Sequence, residues 1–244
     1  MKETDWRIET VDAIDYAFEQ HSWRFAIDEA EAIEHHWQKL CAKNPFLFNG
    51  RVLIMRRGAI EMEGQVRILC GAAFEVEFKA FLAWRDFGFP DQTVRNCFAM
   101  AALVSADGAF MLGRMSDHTA NAGRIYFPAG TPDLNDVKGT RVDLEGSVLR
   151  ELEEETGILP AEVTCEPGWT IVFEGPRIAC MKITRSRLTV AELEARFTAF
   201  IAAEEAPELV ALHPVFSIAD LDEERMPPFT LHYLRHALNY TKSV

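Results

Sequence analysis

Apolar residues recur at Ile27, Ala30, Ile33, Trp37 and Leu40, a spacing of three to four that predicts an amphipathic helix over 25–43. Asn44-Pro45 ends it, because the residue before a proline is driven out of helical geometry. Past the turn at Asn49-Gly50 the period shortens toward two, and 51–57 and 60–78 read as strands of an antiparallel, β-rich segment. A second β region runs from Asn96 to Met115, with Ser105-Ala106-Asp107-Gly108 as a hairpin turn between two apolar strands. Residues 123–130 predict a further strand, and 130–143 a polar loop. A helix follows, capped by Asp143 and stopped by Gly157 with Pro160 close behind. Strands resume at 169–175 and 177–185, a helix starts near Val190, 209–218 is a short strand and 228–240 a closing helix. Mixed order of this kind indicates an α+β or sandwich architecture. The loop 85–93 is the expected boundary between an N-terminal helix and β-rich extension, 1–92, and a second domain, 93–244.

Composition narrows the function. Hydrophobic residues at 48% and charged ones at 26% are ordinary for a globular chain. A net charge of −13 argues against sequence-independent binding to nucleic acid, which needs a basic surface. A polyanionic substrate would need bridging cations. No apolar run is long enough to cross a bilayer, and the opening MKETDWRIETVD is too polar and acidic for a signal peptide, so no membrane association and a cytoplasmic location are expected. Cys41, Cys70, Cys97, Cys165 and Cys180 are scattered without a C-x-x-C pair and read as reduced thiols. A homodimer remains open as the assembly.

The densest chemistry lies in RELEEETGI, Arg150 to Ile158. On a helix turning about 100° per residue, Glu151, Glu154 and Glu155 fall within an arc of roughly 100°, while Glu153 points away. Val148, Leu149 and Leu152 form the adjoining apolar stripe, which puts the acids at a cleft edge rather than opposite the core. An exposed like-charge pair costs only about 0.2–0.5 kcal/mol, but carboxylates held about 4 Å apart at a partly buried edge repel by roughly 4 kcal/mol. Oxygen-only ligands of this kind favour Mg²⁺ or Mn²⁺.

Arg, Glu, apolar, any, Glu, Glu, any, Gly, apolar is matched throughout by residues 150–158, at chance odds on the order of 1 in 10,000. This resembles the second half of the Nudix box, the signature of Nudix hydrolases. The resemblance implies an αβα sandwich with a mixed sheet over 93–244, the N-terminal α/β extension lying outside it. It also implies hydrolysis of a diphosphate joining a nucleoside to another group, such as a nucleotide sugar, ADP-ribose or a dinucleotide. Carried over by position, Glu151, Glu154 and Glu155 are metal ligands. Glu151 also activates water, Arg150 orients the acids, and Gly130, Leu152 and Gly157 serve the motif structurally. Residues 37–52, ending NPFLFNGRV, are similar to the N-terminal region of Nudix enzymes that act on UDP-sugars.

The first half of the box departs from the pattern. Asp136 and Val142 stand where the family has a Gly and a Glu, and taking Gly130 as the equivalent glycine leaves six extra residues before Arg150. Asp143 or Glu145 could supply the missing acid, and Glu204, Glu205 or Glu208 a further one. His118 and Tyr126 are candidates for contact with substrate. His35-His36 reads as a surface or boundary pair, because adjacent helix residues chelate poorly. The absence of a P-loop, of G-x-S-x-G and of a zinc-type cluster leaves kinase, serine hydrolase and zinc enzyme readings without support. The alternative is a catalytically silent Nudix-type fold that binds nucleotides or regulates.

Overall fold

The computed structural model describes residues 6–119 and 121–240. In chain order the strands and helices are β1 (Trp6–Val11), β2 (Ala13–Phe18), α1 (Arg24–Asp28), α2 (Ala30–Lys43), β3 (Arg51–Glu63), β4 (Val66–Glu77), α3 (Phe78–Asp86), β5 (Asn96–Val104), β6 (Phe110–Met115), β7 (Ile125–Tyr126), β8 (Val137–Lys138), β9 (Arg141–Val142), α4 (Leu144–Thr156), β10 (Val163–Cys165), β11 (Trp169–Glu174), β12 (Arg177–Ser186), α5 (Val190–Ile201), β13 (Leu209–Val215) and α6 (Pro228–Tyr240).

Among the described residues the strands form two sheets. The first runs β1-β11-β12-β5-β6-β13, with β10 against β12 and β7 against β6. It is mixed, since β12 pairs with β5 in parallel and the other neighbours are antiparallel. The second runs β3-β4-β2-β9-β8. Alternation along the strands decides which layer each side chain enters. On β3, Leu53 and Met55 join the core shared by both sheets and α4, while Val52 and Ile54 pack beneath α1 to α3. On β5, Ala99 and Leu103 face the α4 side, and Phe98 and Met100 face α6. The first sheet is thus enclosed by α4 on one face and α6 on the other, an αβα sandwich of the α+β class.

Several elements differ from the sequence expectation. The 25–43 helix is interrupted at Glu29, which joins α1 to α2 with φ −104° and ψ 19°. The first strands, β1 and β2, lie outside the sequence expectation, although Trp6 and Ile8 alternate with Arg7 and Glu9 on β1 and β2 is apolar apart from Asp15. Helix α3 is buried at Ala80, Phe81, Leu82, Ala83 and Trp84 in succession, so it carries no helical period. The stretch 130–143 is not a plain loop. Its β8 and β9 form a hairpin that joins the second sheet through β2. Strands therefore cross position 92 in both directions, β1 entering the first sheet and β8–β9 the second. Among the described residues no helix is long and apolar enough to cross a membrane.

Helix α4 follows its sequence signals. The Asp143 side chain accepts the Gly146 N–H at 2.9 Å, and Gly157 ends the helix in the left-handed region at φ 71°. Val148 and Leu152 are fully buried, which sets the rotation of the helix and hence where its acids point.

Candidate active site

Leu152 faces the core, so Glu151 and Glu155 emerge on the flank of α4 nearest residues 129–130, while Glu153 and Glu154 are exposed. Gly130 leaves room for the first of these carboxylates: a Cβ on it would meet the Glu151 carboxyl group and force that side chain to swing away. Glu155 is 4% exposed, its Oε1 accepts the Ala129 N–H at 3.3 Å, and its Oε2 has no hydrogen-bond partner. Burial pushes this carboxyl well above its ordinary range, and the charges of Glu151 and Glu208 push it further. Burial likewise raises Glu151, to about 7, against the opposing charge of Arg150, with Glu154, Glu208 and Asp136 adding to the rise.

Arg150 sits across the cluster. Its Nη1 lies 2.7 Å from Glu151 Oε1 and 3.0 Å from Glu154 Oε2, and its Nη2 lies 3.0 Å from Asp136 Oδ1 and 3.1 Å from Oδ2. Asp136 is 4% exposed, and its Oδ2 also accepts the Asp133 N–H at 3.0 Å. The residue at the departing box position thus ties the enlarged loop to the orienting arginine. Nothing in its sequence neighbourhood marked it for that role.

Other candidates separate clearly. Glu145 is at the opposite end of α4, about 15 Å of helix rise from Glu155, where it pairs with the buried Lys182 at 2.7 Å. Glu205 is exposed after α5 and is not among the charges acting on Glu151 or Glu155. Glu208, just before β13, is the later acid that reaches both. His118 bonds to Ser116 Oγ at 2.8 Å, its carbonyl accepts from Asn44 Nδ2 at 2.7 Å, and the Ser116 N–H holds the Glu208 carbonyl at 2.8 Å. It buttresses the loop beside Glu208. The Tyr126 hydroxyl accepts from Asn121 at 3.1 Å, and its acidity is suppressed by burial and then by the Glu155 charge.

The donor set suits a hard divalent cation: all oxygen, partly buried, with an unpartnered oxygen on Glu155. Glu151, Glu154 and Glu155 could hold one, with Glu208 close by. Among the described residues no three such side chains stand in ready coordinating geometry. Arg150 occupies the space between Glu151 and Glu154, and a cation that keeps several waters needs only one or two carboxylates.

On the other side of residues 129–131 opens a cavity of about 490 Å³, reached by Tyr126 and lined by residues from α3, β5, β11 and α6. Three arginines face it, Arg85, Arg124 and Arg177. Sequence reading missed them because they are far apart in the chain.

The solved structures similar to this chain include the following two. A Nudix hydrolase from M. smegmatis, RenU, aligns at 14% identity over 61% of this chain and 85% of its own, with a TM-score of 0.39. The MutT protein from Methanosarcina mazei Go1 aligns at 18% identity over 58% of this chain and 91% of its own, with a TM-score of 0.37. No family model matches the chain, and no curated protein does.

Proposed function

We propose that the chain is a divalent-cation-dependent hydrolase that cleaves the diphosphate of a nucleoside diphosphate derivative by water attack on phosphorus. A nucleotide sugar is the leading substrate, with ADP-ribose and dinucleotides behind it. The observation that carries this reading is the buried, unpartnered Glu155 carboxylate, converging with Glu151 and Glu208 beside an arginine-lined cavity. Glu151, Glu154 and Glu155 would hold Mg²⁺ or Mn²⁺, which when bound would supply positive charge to a phosphorylated substrate. Arg150, anchored by Asp136, keeps Glu151 and Glu154 aimed at one point. Glu151, pressed against Gly130 beside the cavity, is placed to take the proton of the attacking water. Tyr126 reaches the cavity and packs beside substrate, while His118 supports the loop. Residues 93–244 carry the chemistry, and 1–92 contribute a wall of the cavity through α3.

One observation favours a second reading, a nucleotide-binding or regulatory domain without turnover. Arg150 already pairs with Glu151, Glu154 and Asp136, so the cluster is partly neutralised from within. Phosphate release from a nucleotide panel, with Mg²⁺ and with Mn²⁺, separates the two. Hydrolysis of at least one diphosphate, lost in Glu154→Gln, supports the enzyme. If every substrate stays intact and Glu154→Gln leaves ligand binding unchanged, the hydrolase reading fails.

A further inference from the structure

The cavity beside the acid cluster has a charge the rest of the chain does not predict. In a protein of net charge −13, three arginines face a single space of about 490 Å³ and one glutamate, Glu174, shares it. Arg85 comes from α3, Arg177 from the start of β12, and Arg124 from the loop before β7. Arg85 Nε pairs with Asp86 at 2.8 Å and Arg177 Nη1 with Glu174 at 3.4 Å, which leaves each guanidinium further N–H donors, and the planar fork of arginine matches a carboxylate or phosphate edge.

The walls are partly prepared. Arg177 lies over the ring of Phe89, 4.9 Å from its centroid. Phe89 holds that place in the left-handed region, at φ 59°, an arrangement that is strained for a β-carbon-bearing residue. Its N–H bonds to the Trp84 carbonyl at 2.8 Å, so the end of α3 fixes both Arg85 and the ring beneath Arg177. Burial lowers the Arg177 guanidinium from its ordinary value. The Arg85 charge adds to that effect against the pull of Glu174, which is 3.4 Å away. Two buried acceptor atoms in the lining, Glu174 Oε2 and Asn96 Oδ1, have no hydrogen-bond partner. Buried polar atoms left unpaired are costly, and a ligand hydroxyl would satisfy each.

We propose that this cavity is a second anion subsite, in which Arg85 and Arg177 together hold a carboxylate or phosphate on a hydroxyl-bearing end of the substrate while Glu174 and Asn96 take its hydroxyl groups. The subsite deepens the hydrolase reading, since it would receive the group on the far side of the diphosphate. Binding to it is nevertheless measurable without turnover.

The test uses the full chain with glucuronate, glucose 6-phosphate and glucose as probes, titrated by ligand-observed NMR with Mg²⁺ and again with EDTA. At least one anion is expected to bind about tenfold tighter than glucose under both conditions, and the stronger of the two tells carboxylate from phosphate. Arg85→Gln and Arg177→Gln are each expected to reduce that preference to about threefold or less. The proposal is overturned if no probe binds, if glucose matches both anions, if EDTA removes the preference, or if Arg85→Gln retains it. Arg85 and Arg177 are about equally accessible, their side chains 28% and 31% exposed, but only Arg177 is packed over Phe89, so the Arg85 variant keeps the test decisive should Arg177→Gln unfold. Loss of the hydrolase reading with the preference intact leaves this subsite standing.

Discussion

Two charged regions meet at residues 129–131 and are built in opposite ways. The acids Glu151, Glu154 and Glu155 come from little more than one turn of α4, held in register by one buried leucine and one arginine. The arginines of the cavity come from three separate elements, each with its own support. In the first region repulsion is concentrated along a rigid rod and must register as strain on the fold. In the second it is spread over three anchors and should register mainly as affinity for a ligand.

The sharpest way to break this contrast is Glu151→Gln. Under the hydrolase reading kcat falls by about 10²–10⁴-fold, while the anion preference of the cavity, read by NMR, stays intact. Next is Leu152→Ala, expected to cost about 2–5 kcal/mol in urea denaturation because it empties a fully buried site. It should loosen the acids and weaken Mg²⁺ binding, whereas Arg85→Gln should leave the urea midpoint almost unmoved.

A pH titration sharpens the comparison further. Glu151 rises on folding from an ordinary 4.5 to about 7, so the folded, metal-free chain holds its proton more tightly than the unfolded one. Stability therefore falls as pH rises between about 4.5 and 7, by up to about 3 kcal/mol. The penalty is complete above pH 7 and absent below 4.5, and added Mg²⁺ should flatten the slope. A flat metal-free profile across that window would show that the acids carry no strain. Smallest is Glu155→Gln. Removing an acid whose ionisation burial opposes should raise metal-free stability by about 1–3 kcal/mol and lower Mg²⁺ affinity by about 10–100-fold, read by calorimetry and metal titration.

The same contrast governs what could be read from the chain alone. Helix α4 was legible because its cap, its left-handed stop and its acidic arc all lie within Asp143 to Gly157, where helical periodicity is a local property. The arginine cavity was not, because Arg85, Arg124 and Arg177 become neighbours only when α3, the β7 loop and β12 are brought together by sheet pairing. Glu208 rather than Glu205 reaches the acids because of where the chain enters β13, a placement that composition does not reveal. The hairpin of β8 and β9 was invisible because two-residue strands are too short to alternate. Asp136 was seen only as a departure from a motif, since a lone loop acid gives no sign of the arginine it will meet.

The pairing of β1 with β11, which sets Trp6 opposite Glu174, has a consequence for how the protein is made. At about 5–20 residues per second, β1 waits on the order of ten seconds or more after its own synthesis for β11 to be made. Until then its edge groups are open to other chains. Contacts this distant in sequence also slow the search for the native arrangement, so the first sheet closes at this edge only after β11 has been made.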